Sequence, residues 1–423
     1  MKVFIGILLL SGYHKLPQTH LYWDSNNDTT VTIVSNAMPR ARFQLIKKYL
    51  HCVDNGLMDQ TDKYWKVRPL YDIMNKKVNQ FGALDSTFSI DEQMVPYTGM
   101  HSAKQRMKDK SIRFGYKNFW LAGSSGYPYY CVPYCGAKGV GGDPGKDLTT
   151  RITIQLALQI PSPETSEVFY DNWFSSYKLL PIFTAMGLGA TCTMRNDRTN
   201  KCPLISDNML AKEERGSYRY RTDIFSGSTI LKWNDNNVVR LGSNIYGVEP
   251  IGSVQRYSQK EKKKIAIIQP AIVKCYNKGM GGVDVFDGHI ASYRINIRGK
   301  KWWWPHFINT IDCLKAASYS VYTIAVPDRK QRLSYLEFIR RIVISYMPRR
   351  ERVGPIVSQK VSVWKGDQRV IPEVRLDGKD HWPMKGVQRR CALKACSKKS
   401  HYGCEKCGVG LCVVCFKGYH TSP

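Results

Sequence analysis

The stretch that decides the fold is Thr87-Phe88-Ser89-Ile90-Asp91-Glu92, a short strand-forming run that ends on an acid. Val168-Phe169-Tyr170 runs into Asp171 in the same way. Asp284 and Asp287 stand three apart, so on a helix they share one face. Apolar strand residues carry such an Asp to the edge of a core. There an unpaired carboxylate is costly unless a cation neutralises it. Several converging carboxylates, with no basic residue next to them in sequence, suit a hard metal. Mg²⁺ takes oxygen ligands and keeps water and substrate phosphate in its shell. Two such ions about 3.5–4 Å apart can activate a water and stabilise the leaving oxygen of a phosphodiester. The competing reading is that each Asp caps a helix or turn, as Asp171-Asn172 before Trp173 would. Spacing alone leaves both open, because it cannot bring residues 91, 171 and 284 together.

Outward from these acids the period changes. Before residue 86 the pattern is helical, with Phe43, Ile46 and Leu50 on one face and a further helix over 70–81. Met58–Asp62 reads as a loop. Two aromatic-rich runs, 116–122 and 127–134, flank Gly123-Ser124-Ser125-Gly126 as a hairpin. Residues 149–160 predict a helix stopped by Pro161 and Pro163, 173–186 another helix, and 189–194 a strand. The glycine-rich loop 136–145 lacks a Gly-Lys-Ser/Thr ending, which argues against a phosphate-cradling P-loop. Residues 196–262 are more polar, with strand-like runs at 227–233 and 238–241, and read as an insertion. A helix over 270–293 is broken by Gly279, Gly281 and Gly282, and helices are expected over 301–323 and 334–347.

Lys+Arg number 63 against 34 Asp+Glu, a formal charge of +29 over 423 residues, which points to a polyanionic partner. At 43% hydrophobic the chain is too apolar to be disordered. No run of about 18 apolar residues exists, so no helix is expected to span a membrane. The start, Met1-Lys2-Val3-Phe4-Ile5-Gly6-Ile7-Leu8-Leu9-Leu10, resembles a signal peptide, and Asn27-Asp28-Thr29 is a formal glycosylation sequon. No Ala-x-Ala-like cleavage site follows, so a buried helix is expected instead.

Basic residues gather in three places. Residues 104–117 hold Lys104, Arg106, Lys108, Lys110, Arg113 and Lys117 against Asp109 alone. Arg294, Arg298, Lys300 and Lys301 follow the last acidic pair and precede Trp302-Trp303-Trp304. Such cations neutralise phosphates, and an indole can stack on an unpaired base. On a helix at least one of the three tryptophans belongs to the core. At the C-terminus Cys391, Cys396, Cys404, Cys407, Cys412, Cys415 and His420 fall within one short span, among Lys385, Arg389, Arg390, Lys394, Lys398 and Lys399. Cys-x2-Cys turns let two thiolates reach one tetrahedral Zn²⁺, and the span is too short for an apolar core. Seven ligands do not fill two tetrahedral sites. His401 is the nearest eighth, with His381 further off. One zinc ribbon with leftover cysteines, or two interleaved sites, would both fit. The basic run suits phosphate contact or nuclear import.

Three blocks resemble the signatures of piggyBac-type transposases, in the family's order. They are Ser89-Ile90-Asp91-Glu92-Gln93-Met94, Tyr170-Asp171-Asn172-Trp173-Phe174-Ser175-Ser176 and Lys278-Gly279-Met280-Gly281-Gly282-Val283-Asp284-Val285-Phe286-Asp287. Arg113-Phe114-Gly115-Tyr116-Lys117 resembles the family's basic block, and Arg298-Gly299-Lys300-Lys301-Trp302-Trp303-Trp304-Pro305 its Trp-rich block. The resemblance implies an α/β, ribonuclease H-like catalytic core with an inserted domain, flanked by an α-helical domain and followed by a small Cys/His zinc module. It implies that Asp91, Asp171, Asp284 and Asp287 hold two Mg²⁺ for cut-and-paste transposition into TTAA targets. Trp304 matches the family's Trp before Pro and is the residue expected against a base. DNA contact is likewise expected from Lys104, Arg106, Lys110, Arg113, Lys117, Arg298, Lys300, Lys301, Arg389 and Arg390. One or two structural Zn²⁺, a homodimer, double-stranded DNA as partner and the nucleus as location complete the expectation.

The domain division expected is 1–85 helical, 86–195 core, 196–264 insertion, 265–293 core, 294–352 helical, 353–387 linker and 388–423 zinc module. Lys315 stands where relatives often carry Asn before Ala, which bears on local packing. The alternative function is a truncated or domesticated relative that binds DNA without transposing it.

Overall fold

A computed structural model describes residues 1–59, 61–82, 84–108, 110–143, 145–259, 261–347 and 370–422. It divides into two compact units, Met1–Arg349 and Arg350–Pro423. In the first, helices α1 (Lys2–Tyr13), α2 (Thr32–Ala37), α3 (Arg40–Tyr49) and α4 (Arg68–Val78) come before the first strand. Strands β1 (Thr87–Pro96), β2 (Gln105–Arg106), β3 (Phe114–Gly123) and β4 (Pro128–Tyr134) follow. Then come α5 (Leu148–Ala157), β5 (Glu167–Tyr170), α6 (Leu179–Ala185) and β6 (Gly189–Thr193). The stretch expected as an insertion carries α7 (Asp207–Leu210), β7 (Tyr218–Thr222), β8 (Thr229–Asn234), β9 (Val238–Ser243), β10 (Gly252–Ser258) and the start of β11 (Lys263–Gln269). Helices α8 (Ala271–Gly279), α9 (Gly282–Ser292), α10 (Trp304–Ala325) and α11 (Tyr335–Tyr346) close the unit.

The sheet is built round β1. Antiparallel β3 lies on one side and parallel β5 on the other, and β6 runs parallel to β5. Antiparallel β9, β8 and β7 continue the same sheet, so the insertion extends the core rather than standing apart from it. Its Leu231, Trp233 and Leu241 form a further small core with Ile267 of β11 and with Ile272 and Val273. β1 is longer than the run that announced it. Gln93, Met94 and Val95 are buried as well, so pairing with β3 continues to Pro96 and Asp91 sits mid-strand.

The helical scaffold is split in sequence. Apolar side chains all round α1 are buried, among them Phe4, Ile7 and Leu8. Such a helix needs neighbours on every side. α11 packs along it, Phe43 of α3 meets Phe4 with ring centroids 4.9 Å apart, and the same apolar cluster takes in Tyr71 and Met74 of α4, Cys313 and Ala316 of α10 and Ile339 and Val343 of α11. The run that resembles a signal peptide is therefore scaffold core.

One expected helix is shorter than predicted. Over 173–178 the chain turns, and α6 starts only at Leu179. Asp171 Oδ1 accepts from the Trp173 amide at 2.8 Å, and Arg198 donates to the carbonyls of Trp173 and Ser175 at 2.8 and 2.9 Å. Side chains thus hold backbone groups that a helix would have paired.

The second unit holds α12 (Pro372–Arg375), β12 (Pro383–Arg390), β13 (Lys399–Cys404), β14 (Val409–Gly410) and α13 (Val413–Thr421). Of the expected linker 353–387, residues 353–369 lie outside the described residues. Residues 370–387 carry α12 and the start of β12.

Candidate functional site

Strand geometry sets the acids. Ser89, Asp91 and Gln93 alternate on β1 and share one face. Ser89 Oγ accepts from the Val283 amide at 3.1 Å, and Gln93 Nε2 donates to Asp287 Oδ1 at 3.0 Å. Both neighbours of Asp91 on that face therefore meet α9, which carries Asp284 and Asp287. Gly281 (φ 116°) makes the break that lets α9 start there, in a conformation L side chains avoid. Any Cβ on Gly282 would collide with the Gly123 carbonyl and sit 2.8 Å from Ser89 Oγ. On the other side, β1 and β5 pair in parallel up to Ile90 and Tyr170. Asp91 follows Ile90 within β1, and Asp171 follows directly on the end of β5.

Lys110 reports the convergence. Its ammonium ion-pairs with Glu92 at 3.2 Å and lies within electrostatic reach of Asp91, Asp171, Asp284 and Asp287. Burial, with the Glu92 charge beside it, pushes the Asp91 carboxyl up to about 8. Burial also raises Asp171, against the pull of the Trp173 amide, and raises Asp287, against Arg294 and Gln93. These carboxylates lack enough positive charge for their depth. Hard oxygen donors short of a cation are what a divalent ion such as Mg²⁺ fits. Among the described residues only Cys/His sets bring three or more ligand atoms within 4.8 Å, so the carboxylates are spread more widely than a closed one-ion cage.

Two expected DNA contacts are corrected. Lys117 is buried, its ammonium 4.4 Å from the centroid of the Trp173 ring and within reach of Glu92, Asp171 and Asp91. It balances the acids from inside and presents nothing to a phosphate. Trp304 is 3% exposed, and its Nε1 donates to the Ile297 carbonyl at 2.9 Å. Packed on Gly299, it offers no face to a base. Trp303 is buried as well, while Trp302 is partly exposed and stacks on His101 with centroids 4.3 Å apart.

Arg106, Arg113, Arg298, Lys300, Lys301, Arg389 and Arg390 are exposed, whereas Lys104 and Lys110 are partly so. Lys104 donates to the Gly99 carbonyl at 2.7 Å. A cleft of about 660 Å³ sets Lys300, Lys301 and Trp302 beside Lys48 and Lys66 from the first helical segment. The sequence reading missed those two lysines, because 234 residues or more separate them from Lys300. It also missed Gln93 and Arg294 as partners of Asp287. For Gln93 a signal existed, since a residue two past Asp91 on a strand must share its face. Lys315, unexpected beside the family pattern, donates to Asp312 Oδ1 and to the Tyr293 carbonyl, both at 2.6 Å, inside the scaffold.

The second unit gathers two sets of ligands, His381/Cys404/Cys407/His420 and Cys391/Cys396/Cys412/Cys415. They interleave along the chain, which decides between the two arrangements left open. His381 is the eighth residue. His401 instead turns Nδ1 to the Gly386 carbonyl at 3.3 Å. His381 Nε2 meets Asp377 Oδ1 at 3.0 Å, leaving Nδ1 3.4–3.5 Å from the sulfurs of Cys404 and Cys407. His420 Nδ1 meets the Phe416 carbonyl at 2.8 Å, leaving Nε2 for Cys407. An acceptor behind each imidazole fixes its ligating nitrogen. The Cys396 and Cys412 sulfurs are 3.9 Å apart. The edge of a tetrahedron with Zn–S bonds near 2.3 Å is about 3.8 Å. All thirteen cysteines are free thiols. Either set could hold zinc.

A central strand with an acid at its middle, a parallel neighbour ending on a second, and a helix bringing two more make this a ribonuclease H-like fold of the transposase class. Comparison with known proteins agrees. The family described as Transposase IS4 matches residues 1–316. The human PiggyBac transposable element-derived protein 3 is 38% identical over 426 residues, spanning 99% of this chain and 70% of that protein. The human PiggyBac transposable element-derived protein 2 is 34% identical, again over 99% and 70%. A solved piggyBac transposase synaptic complex with hairpin DNA matches with TM-score 0.69 at 19% identity, covering 98% of this chain and 87% of that one. The chain belongs to the piggyBac transposase family.

Proposed function

We propose that this chain is a DNA transposase that cleaves and joins phosphodiesters with divalent metal. The observation that carries the reading is the meeting of Asp91, Asp171, Asp284 and Asp287 around Lys110 at one place on the sheet. Those four carboxylates would hold two Mg²⁺, which when bound supply a nucleophilic water and stabilise the leaving oxygen. Lys110 and Lys117 balance part of the acidic charge from the protein side. The exposed Arg106, Arg113, Arg298, Lys300, Lys301, Arg389 and Arg390, with the partly exposed Lys104, would neutralise DNA phosphates. The body would act on transposon ends through a freed 3′-OH, a hairpin and joining at TTAA, as the family resemblance implies. The Cys/His unit would carry two structural Zn²⁺ and help hold terminal repeats. Residues 1–85 and 294–352 would form the helical DNA-binding and dimerising part, 86–195 and 265–293 the core, and 196–264 the insertion. A homodimer in the nucleus completes the proposal.

The test is Mg²⁺-dependent cleavage by the full chain of DNA carrying its element's ends. Asp171→Asn should reduce cleavage at least about 10²-fold while leaving DNA binding intact, because it removes a charged ligand and keeps the shape. Cleavage surviving in that variant would sink the mechanism. A second reading is favoured by the relatives' own description as transposable element-derived proteins. In that case the full chain binds the ends and never cuts them.

A further inference from the structure

We propose that Gln93 is a positioning residue that fixes the rotation of the Asp287 carboxylate and so decides which oxygen faces the metal. Gln93 is 1% exposed, so each atom of its amide must find a partner. Its Oε1 accepts from Trp120 Nε1 at 3.2 Å and from Asn309 Nδ2 at 3.1 Å. An indole N–H can only donate, so the oxygen must lie on that side whichever way Asn309 is turned. The NH₂ is left to point at Asp287 Oδ1, which it reaches at 3.0 Å. Arg294 Nη2 approaches the same Oδ1 at 3.7 Å. Both protein contacts therefore fall on one oxygen. Among the described residues Oδ2 has no hydrogen-bond partner, which leaves it as the ligand atom.

The chemistry suits a neutral amide. A second cation on Oδ1 would drain charge that the metal needs, whereas an amide donor orients the carboxylate and leaves it anionic. The anchors are rigid. Trp120 lies on β3, directly opposite Asp91, and packs edge-on against Phe286 of α9 with centroids 4.9 Å apart. Asn309 belongs to α10. Three elements, β3, α9 and α10, thus converge on one amide of β1, and none of these side chains has to touch DNA.

This inference rests on the reading of Asp287 as a metal ligand, and the experiment separates the two. The full chain, loaded with zinc, is titrated with Mn²⁺ and free Mn²⁺ is followed by electron paramagnetic resonance. Mg²⁺-dependent cleavage is measured alongside. Gln93→Met keeps the length and removes the donor. It should weaken Mn²⁺ binding about tenfold, as loss of a ligand's hydrogen-bond partner does. The half-saturating Mg²⁺ should rise in step, and maximal cleavage should recover at high metal. Trp120→Phe, which frees the amide to flip, should shift both in the same direction by less. It carries the test alone if Gln93→Met fails to fold. Folded variants with wild-type Mn²⁺ affinity, beside an Asp287→Asn protein that has lost it, would overturn the role of Gln93 alone. Wild-type affinity in Asp287→Asn would overturn both this role and the ligand reading beneath it.

Discussion

At the residue scale, His306 shows how burial sets a charge state. It is fully buried among Tyr64, Tyr71, Tyr116 and Trp302. Its Nδ1 meets Tyr71 Oη at 2.8 Å, and its Nε2 has no hydrogen-bond partner among the described residues. A second ring proton would have no acceptor, and desolvation, aided by the nearby His101, pushes the imidazole down to about 3. The sign follows from linkage. The unfolded chain takes the proton near pH 6.5 and the folded one only near 3, so stability is full above 6.5 and is lost as pH falls between them. Between pH 7 and 4 this group should withdraw about 3 kcal/mol from the body. Urea unfolding of wild type and His306→Gln across that range should show a shallower pH dependence in the variant. Equal slopes would mean that the buried ring is protonated or not buried. None of this was legible beforehand, because His306 follows Trp-Trp-Trp-Pro in a stretch whose sequence reads equally as a DNA-facing surface.

At the element scale, the junction of α8 and α9 joins backbone conformation to the acids. The glycine break was readable as a break. Its purpose was not, since sequence cannot show that Gly282 lies against Ser89 and Gly123 of two strands. Gly282→Ala should force α9 away from β1. Overpacking of this kind costs about 1–3 kcal/mol, and displacement of Asp284 and Asp287 should reduce divalent binding beyond what the stability loss explains. Calorimetric unfolding and Mn²⁺ titration check the two parts separately. Unchanged Mn²⁺ affinity in a folded Gly282→Ala protein would show that the close approach does not set the acids. The same limit explains the other differences between sequence and structure. The expected strand ended at Asp91, yet Gln93, Met94 and Val95 are all buried and pairing with β3 runs on to Pro96. The expected helix ran on through 173–178, whereas Arg198, more than twenty residues further on, holds the carbonyls of Trp173 and Ser175. Local pattern located elements well and failed where a distant side chain claimed the backbone or filled the opposite face.

At the scale of the whole molecule, the two units differ in what holds them together. The body has large apolar clusters that include Phe4, Trp120 and Tyr170, and no metal is needed to explain its cohesion. Among the described residues the buried apolar cluster of the second unit is Cys391, Cys404, Val409, Leu411 and Tyr419. A core that small cannot offset the ordering of some fifty residues, and zinc on the two Cys/His sets would supply the missing folding free energy. Interleaving makes the dependence mutual. Cys391 and Cys396 belong to one set while the next two cysteines belong to the other, so the chain cannot close one site without ordering the segment that carries the second. Metal analysis of the purified chain should return two zinc ions. His381→Ala should lower that number, while His401→Ala should leave it at two. A strong chelator should abolish protection of amide hydrogens across 370–422 and leave exchange in 1–347 unchanged. Two zincs retained in His381→Ala would remove His381 from the ligand set, and protection surviving chelation would show that the apolar cluster around Tyr419 and Leu411 orders this unit by itself.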